Sequence, residues 1–144
     1  TIQKVRPKLR GVGITSASRQ IEPDRFSHIS PQGVSVAHLD TLNTFRGWKT
    51  VFTGKNGWIQ YNAVDFGKDK LKSVEVNASS SGDGTLQIRL DNVGGPIIAK
   101  LKIRKSSGWN VSGARLSKFL PGTHNLVLIS GSDTPVEVDW IRFK

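Results

Sequence analysis

The feature that most restricts the fold is a two-residue alternation of apolar and polar side chains, repeated in short runs through the second half of the chain. Val74, Val76 and Ala78 alternate with Ser73, Glu75 and Asn77, and Leu86, Ile88 and Leu90 alternate with Gln87, Arg89 and Asp91. The same beat recurs at Ile97, Ala99, Leu101 and Ile103 against Ile98, Lys100, Lys102 and Arg104, and at Val136, Val138 and Trp140 against Glu137, Asp139 and Ile141. Neighbouring side chains of a strand point to opposite faces, so each run predicts a strand with one face buried and one in water. Turn-rich clusters (SSSGDGT, DNVGGP, RKSSG, LPGTH and SGSDTP) separate the runs. Short strands at this spacing predict an all-β fold, a β-sandwich of two antiparallel sheets. By this alternation Trp58 and Trp140 are expected in the core.

The 144 residues fit one hydrophobic core. Residues 1–20 are basic and weakly periodic, expected as a linker or loosely attached leading segment. Residues 21–144 then form a single unit. The stretch VSVAHLDTLNTFR has some helical spacing but no firm caps, and predicts a long loop with at most one helical turn. No apolar run approaches the ~20 residues of a membrane span. The chain contains no Cys, which removes disulfides, thiolate zinc sites and thiol nucleophiles.

Charge is lopsided: 21 Lys and Arg against 11 Asp and Glu, a formal net charge of +10. Nucleic acid, an anionic polymer or an anionic membrane surface are the partners such a balance admits. The segment KLKIRKSSGWN comes closest to the basic-plus-aromatic pattern of a nucleic-acid binder. On a strand, however, Lys100, Lys102 and Arg104 populate one solvated face, so nucleic acid is disfavoured. A catalytic reading also starts poorly. Three Glu, eight Asp and three His are present without metal-ligand spacing, a nucleophile elbow or a favoured carboxylate pair. A small glycoside hydrolase is therefore a minor alternative.

The order of motifs from residue 21 onward resembles the family 6 carbohydrate-binding modules, β-sandwich domains of jelly-roll type appended to secreted polysaccharide-degrading enzymes. IEPDRF resembles the family's acidic first strand, NGWIQYNAVDFG its Trp-x-x-Tyr strand running into Val-Asp-Phe-Gly, and SSGWN its Gly-Gly-Trp loop. PGTHNLVLISGSDTPVEVDWIRF resembles the closing pair of strands. The resemblance implies a non-catalytic, extracellular, bacterial module that binds polysaccharide as a monomer and targets a glycoside hydrolase in the same parent chain.

It also implies a site in the loops at one end of the sandwich, where aromatic rings clasp a sugar and a polar side chain orients it. Trp109 matches the loop Trp. Phe52, six residues before Trp58, falls where the family usually has Tyr, and Glu137, two before Asp139, where it often has Asn. Trp48, expected in the long loop, is a reserve platform. Glu22, Asp24 and Asp139 match the family's structural calcium position, and three carboxylates suit a hard, oxygen-seeking cation. Phe donates no hydrogen bond and Glu adds a negative charge where an amide could both donate and accept, so these two departures leave the ligand class open. The alternative ligand is an anionic glycan, bearing uronate or sulfate, recognised through the +10 net charge.

Overall fold

A computed structural model describes residues 15–22, 26–38, 47–68 and 70–144. These form eleven strands and, among the described residues, no helix. In chain order they are β1 (Thr15–Ser16), β2 (His28–Ile29), β3 (Val34–His38), β4 (Trp48–Phe52), β5 (Trp58–Asp65) and β6 (Ser73–Ser80). Next come β7 (Gly84–Leu90), β8 (Ile97–Ile103), β9 (Asn110–Arg115), β10 (Thr123–Ser130) and β11 (Val136–Phe143). One sheet has the order β1-β5-β10-β7-β8, with β2 also pairing β5, and the other has the order β3-β4-β11-β6-β9. All pairings are antiparallel except that of β1 with β5. The expected all-β sandwich is the observed fold.

The alternation explains the layers. Val74, Val76, Leu86, Ile88, Leu101, Leu128, Val136 and Ile141 are fully or almost fully buried between the sheets, and their polar neighbours face outward. Burying an aliphatic or aromatic side chain of this size contributes roughly 1.5–3 kcal/mol, so two facing sheets hold each other. Val34–His38, expected as loop with at most one helical turn, is a strand, because its alternating Val34 and Val36 pack against the core. Trp48 likewise opens strand β4 instead of lying in a loop. Residues 39–46, the rest of that expected loop, lie outside the described residues.

The leading segment is partly structured as well. Residues 1–14 lie outside the described residues. Thr15 and Ser16 pair with Val64 and Asp65, and Ala17 is fully buried. Its carbonyl accepts the Phe143 N–H at 2.9 Å, and Ile21 bridges Ile141.

Register sorts the loops onto two poles. Phe52, Ser80, Asn110 and Val136 meet at one pole of the β3–β9 sheet. The turns 53–57, 81–83, 104–109 and 131–135 all project there. At this pole Gly33 (φ +83°) and Gly57 touch backbone to backbone, since a Cβ on Gly57 would stand 2.3 Å from the Gly33 carbonyl oxygen.

Candidate functional site

The turn between β8 and β9 presents Trp109. Ser106 N–H donates to the Ser80 carbonyl at 3.0 Å, and Lys105 N–H donates to Asp83 Oδ1 at 3.1 Å, so the turn is tied to the end of β6 and to the β6–β7 turn. Within it, Ser106 Oγ donates to the Gly108 carbonyl at 2.8 Å, which curls the chain ahead of the ring. Trp109 is 38% exposed, a large ring held on the surface by a turn that has no room to bury it.

Glu137 lies in the same transverse row. It pairs with Val51 on one side and Ser79 on the other, and Asn110, the first residue of β9, pairs with Ala78. Trp109 immediately precedes Asn110, so it stands in the row of Ser79, two strand spacings from Glu137, about 10 Å. The Glu137 side chain is 36% exposed, and its Oε2 accepts from Lys49 Nζ at 3.0 Å. A carboxylate has acceptor capacity beyond one such bond. Beside this row a hollow of about 470 Å³ opens among Ser30, Gly33, Gly54, Lys55, Asn56 and Asp133.

Phe52 does not join them. Its position in β4 opposes Val136 in the core, and its side chain is 0% exposed. Alternation from Trp48 puts Thr50 and Phe52 on the inner face, so the ring fills the sandwich and has no surface to offer a sugar. Trp48 is half-buried at the start of that strand.

The two tryptophans expected in the core are elsewhere. Trp58 pairs with Ile129 and is only half-buried, on the solvent side of its sheet, because its neighbour Ile59 takes the core position. Trp140 is displaced by a bulge: the register shifts between Val138 and Trp140, so Trp140 opposes outward-facing Asn77 while Ile141 enters the core. Arg142, two residues on, stands 5.4 Å from the Trp140 ring centroid and donates to Glu75 Oε1 at 2.9 Å. A guanidinium over the ring is a cation–π contact. No sequence signal marks this bulge except the Ile at 141, where strict alternation would put a polar residue.

The expected calcium ligands are brought partly together. The Ile21–Ile141 bridge lays the chain of Glu22 beside the last strand, and Asp139 sits at the bulge, accepting from Asn77 Nδ2 at 3.1 Å. Asp24 lies outside the described residues. Among the described residues, no three acidic or histidine side chains converge on one point. Of the histidines, His124 is fixed by Asp91 Oδ1 and the Pro121 carbonyl, both at 2.9 Å, a structural arrangement. No helix of the described residues is long and apolar enough to cross a membrane.

The fold is a two-sheet β-sandwich with one exposed aromatic ring on its loop pole among the described residues. Residues 29–144 match the carbohydrate binding module (family 6), and the chain belongs to that family of non-catalytic binding modules. An arabinoxylan arabinofuranohydrolase from Paenibacillus polymyxa is 28% identical over 117 residues, which cover 77% of this chain and 17% of that enzyme. The chain thus spans about a sixth of that relative's length. The module CsCBM6-3 of Clostridium stercorarium, solved with cellobiose, superposes with a TM-score of 0.80 at 21% identity, over 92% of this chain and 97% of that one. A family 36 module solved with calcium and xylotriose superposes with a TM-score of 0.65 at 14% identity, over 88% and 99% of the two chains.

Proposed function

We propose that the loop pole binds a polysaccharide chain, with Trp109 as the stacking platform and Glu137 as the orienting acceptor. The observation that carries this is an exposed indole fixed by a short hydrogen-bonded turn, in the same transverse row as a half-exposed carboxylate. Sugar rings present C–H faces that pack on an indole, and such aromatic contacts are worth roughly 0.5–1.5 kcal/mol beyond their buried area. Trp48, on the same face of β4 as Phe52 and at the end of the strand away from this pole, takes no part in the site, and neither does Phe52. Trp140 is not a platform either, since Arg142 already covers its ring.

The ligand class follows from the relatives: cellobiose in the Clostridium module, and the arabinoxylan on which the Paenibacillus enzyme is named to act, make β-linked plant polysaccharides the first to test. In the same reading the module is extracellular, monomeric, and holds a joined glycoside hydrolase near its substrate. Tethering raises effective concentration, so modest affinity suffices. A calcium ion held by Glu22, Asp24 and Asp139 would supply structural cross-linking between the first and last segments of the domain, not chemistry. The laid-together chains of Glu22 and Asp139 support that assignment.

Titration calorimetry with cellohexaose and xylohexaose tests the site. Trp109→Ala should abolish measurable binding while thermal stability changes by less than about 1 kcal/mol, as for a surface position. Phe52→Ala, by contrast, should cost about 3–5 kcal/mol of stability through the cavity it leaves. Retained binding in Trp109→Ala would place the site elsewhere.

A further inference from the structure

We propose a second site, a cationic trough along the open edge of the sandwich between β8 and β9 that takes an anionic polysaccharide. It rests on the glycan-binding reading only for the class of its occupant. Strand β8 ends one sheet and β9 ends the other, so the two edges face each other across the side of the molecule. Two adjoining hollows of about 610 and 630 Å³ lie there and share Lys102, Ile103, Arg104 and Lys105; Lys100 lines the first of them. Asp83 is the one acid of the lining, and its Oδ1 already accepts the Lys105 backbone N–H.

The four cations are unneutralised. Among the described residues the basic side chains in ion pairs are Lys49, His124, Arg142 and Lys144, and none of the four in the trough is among them. Lysines on an edge strand guard a sheet against pairing with another chain, which accounts for Lys100 and Lys102. Arg104 and Lys105 lie beyond the end of β8, where there is no edge to guard. Four like charges within six residues repel one another, and that arrangement is relieved by a ligand of opposite sign. Lys100 and Lys102 are two apart on one face of a strand, about 7 Å between their stems. That ladder suits a linear ligand with repeating charge better than one small anion.

A glycan is favoured over single-stranded nucleic acid by the aromatic content. The trough runs into the turn that carries Trp109, through Ser106 and Asn110, and Trp109 is the one exposed aromatic ring among the described residues. Nucleic acid bound through successive bases needs a series of stacking rings. A charged glycan needs only the cations, and carboxylate or sulfate groups satisfy the trough alike.

The test compares two variants that remove the same four charges. Lys100→Gln, Lys102→Gln, Arg104→Gln and Lys105→Gln are combined in one; Lys68→Gln, Lys70→Gln, Lys72→Gln and Lys118→Gln, all exposed and away from the trough, are combined in the other. Hexagalacturonate and a sulfated galactan hexasaccharide distinguish uronate from sulfate, and xylohexaose reports the loop pole separately. The trough variant should lose at least about tenfold in affinity for one or both charged ligands, and the control variant less than about threefold. The wild-type affinity for them should fall several-fold between 20 and 200 mM salt, as counterions are displaced. Xylohexaose binding should be equal in all three proteins, and its failure in the wild type would count against the loop pole and not the trough. Equal losses in the two variants would reduce the effect to net charge and overturn the proposal. So would failure of both charged ligands to bind the wild type, or an oligothymidylate of equal length binding as tightly with the same variant pattern. Circular dichroism checks that both variants are folded; should the trough variant unfold, the four Lys/Arg→Gln changes are read singly against the same ligands.

Discussion

Single residues decide more here through the face they occupy than through their type. Glu75 shows this on the outer face of the β3–β9 sheet. The Arg142 guanidinium donates to its carboxylate, with Lys144 Nζ 3.3 Å from the other oxygen, and together they hold its pKa below the ordinary 4.5. A carboxylate whose folded pKa is depressed contributes stability that is present above its unfolded value and lost as pH falls through the folded one. Glu75→Gln should therefore lower the thermal midpoint at neutral pH and flatten its decline below about pH 4.5. Thermal scans of both proteins across that range check it; parallel declines would show that the pair contributes nothing. Glu137 offers a second residue-scale reading. If the loop pole takes neutral sugar, Glu137→Gln weakens binding, because charge-assisted hydrogen bonds are roughly twice as strong as neutral ones. If it takes anionic sugar, the same change tightens binding, most of all at low salt. Calorimetry with xylohexaose and hexagalacturonate gives the sign.

At the scale of elements, the legible part of the fold was the period of the strands and the illegible part was their interruptions. The alternation at residues 74–78, 86–90 and 99–103 reads directly as buried and exposed faces, whereas at the start of β8 the register slips and Ile98 is buried where the count from Ile97 would expose it. Trp140 looks inward by the same count and faces outward because one extra residue, Asp139, sits in the bulge before it. A bulge shifts the phase of the alternation, and its one trace in the sequence is the apolar Ile141 where a polar residue was due. The exposure of Trp109 was legible, because a turn gives the ring nowhere to go, and the burial of Phe52 was not, because spacing to Trp58 said nothing about which face of β4 the ring would take. The loop pole also depends on one close approach that the sequence leaves unannounced. Gly57→Ala would drive a methyl into the Gly33 carbonyl, and overpacking of that kind costs typically 1–3 kcal/mol. The expected outcome is a lower denaturation midpoint, together with weaker glycan binding as turns 31–33 and 54–56 part. Unchanged values of both would mean the two turns separate freely.

For the whole molecule, the first and last segments close the sandwich together. The calcium assignment makes a prediction at this scale, since an ion bound only by the folded state stabilises it by mass action. At a hundredfold excess over its dissociation constant the gain is about 2.7 kcal/mol. Calorimetric scans with chelator and then with added calcium should show a higher midpoint in the second, with sugar affinity unchanged; identical midpoints would remove the metal.

The adjacency of Ala17 to Phe143, and of Ile21 to Ile141, also decides how the molecule bears tension. Pulling residue 15 away from residue 144 would load those hydrogen bonds one after another, like opening a zip from its end. Pulling residue 144 against a ligand seated at Trp109 runs along the strands instead, and loads many rungs of β11 and β6 at once. A domain gripped at its loop pole and held by one terminus is thus loaded in shear, the direction in which a sheet yields last.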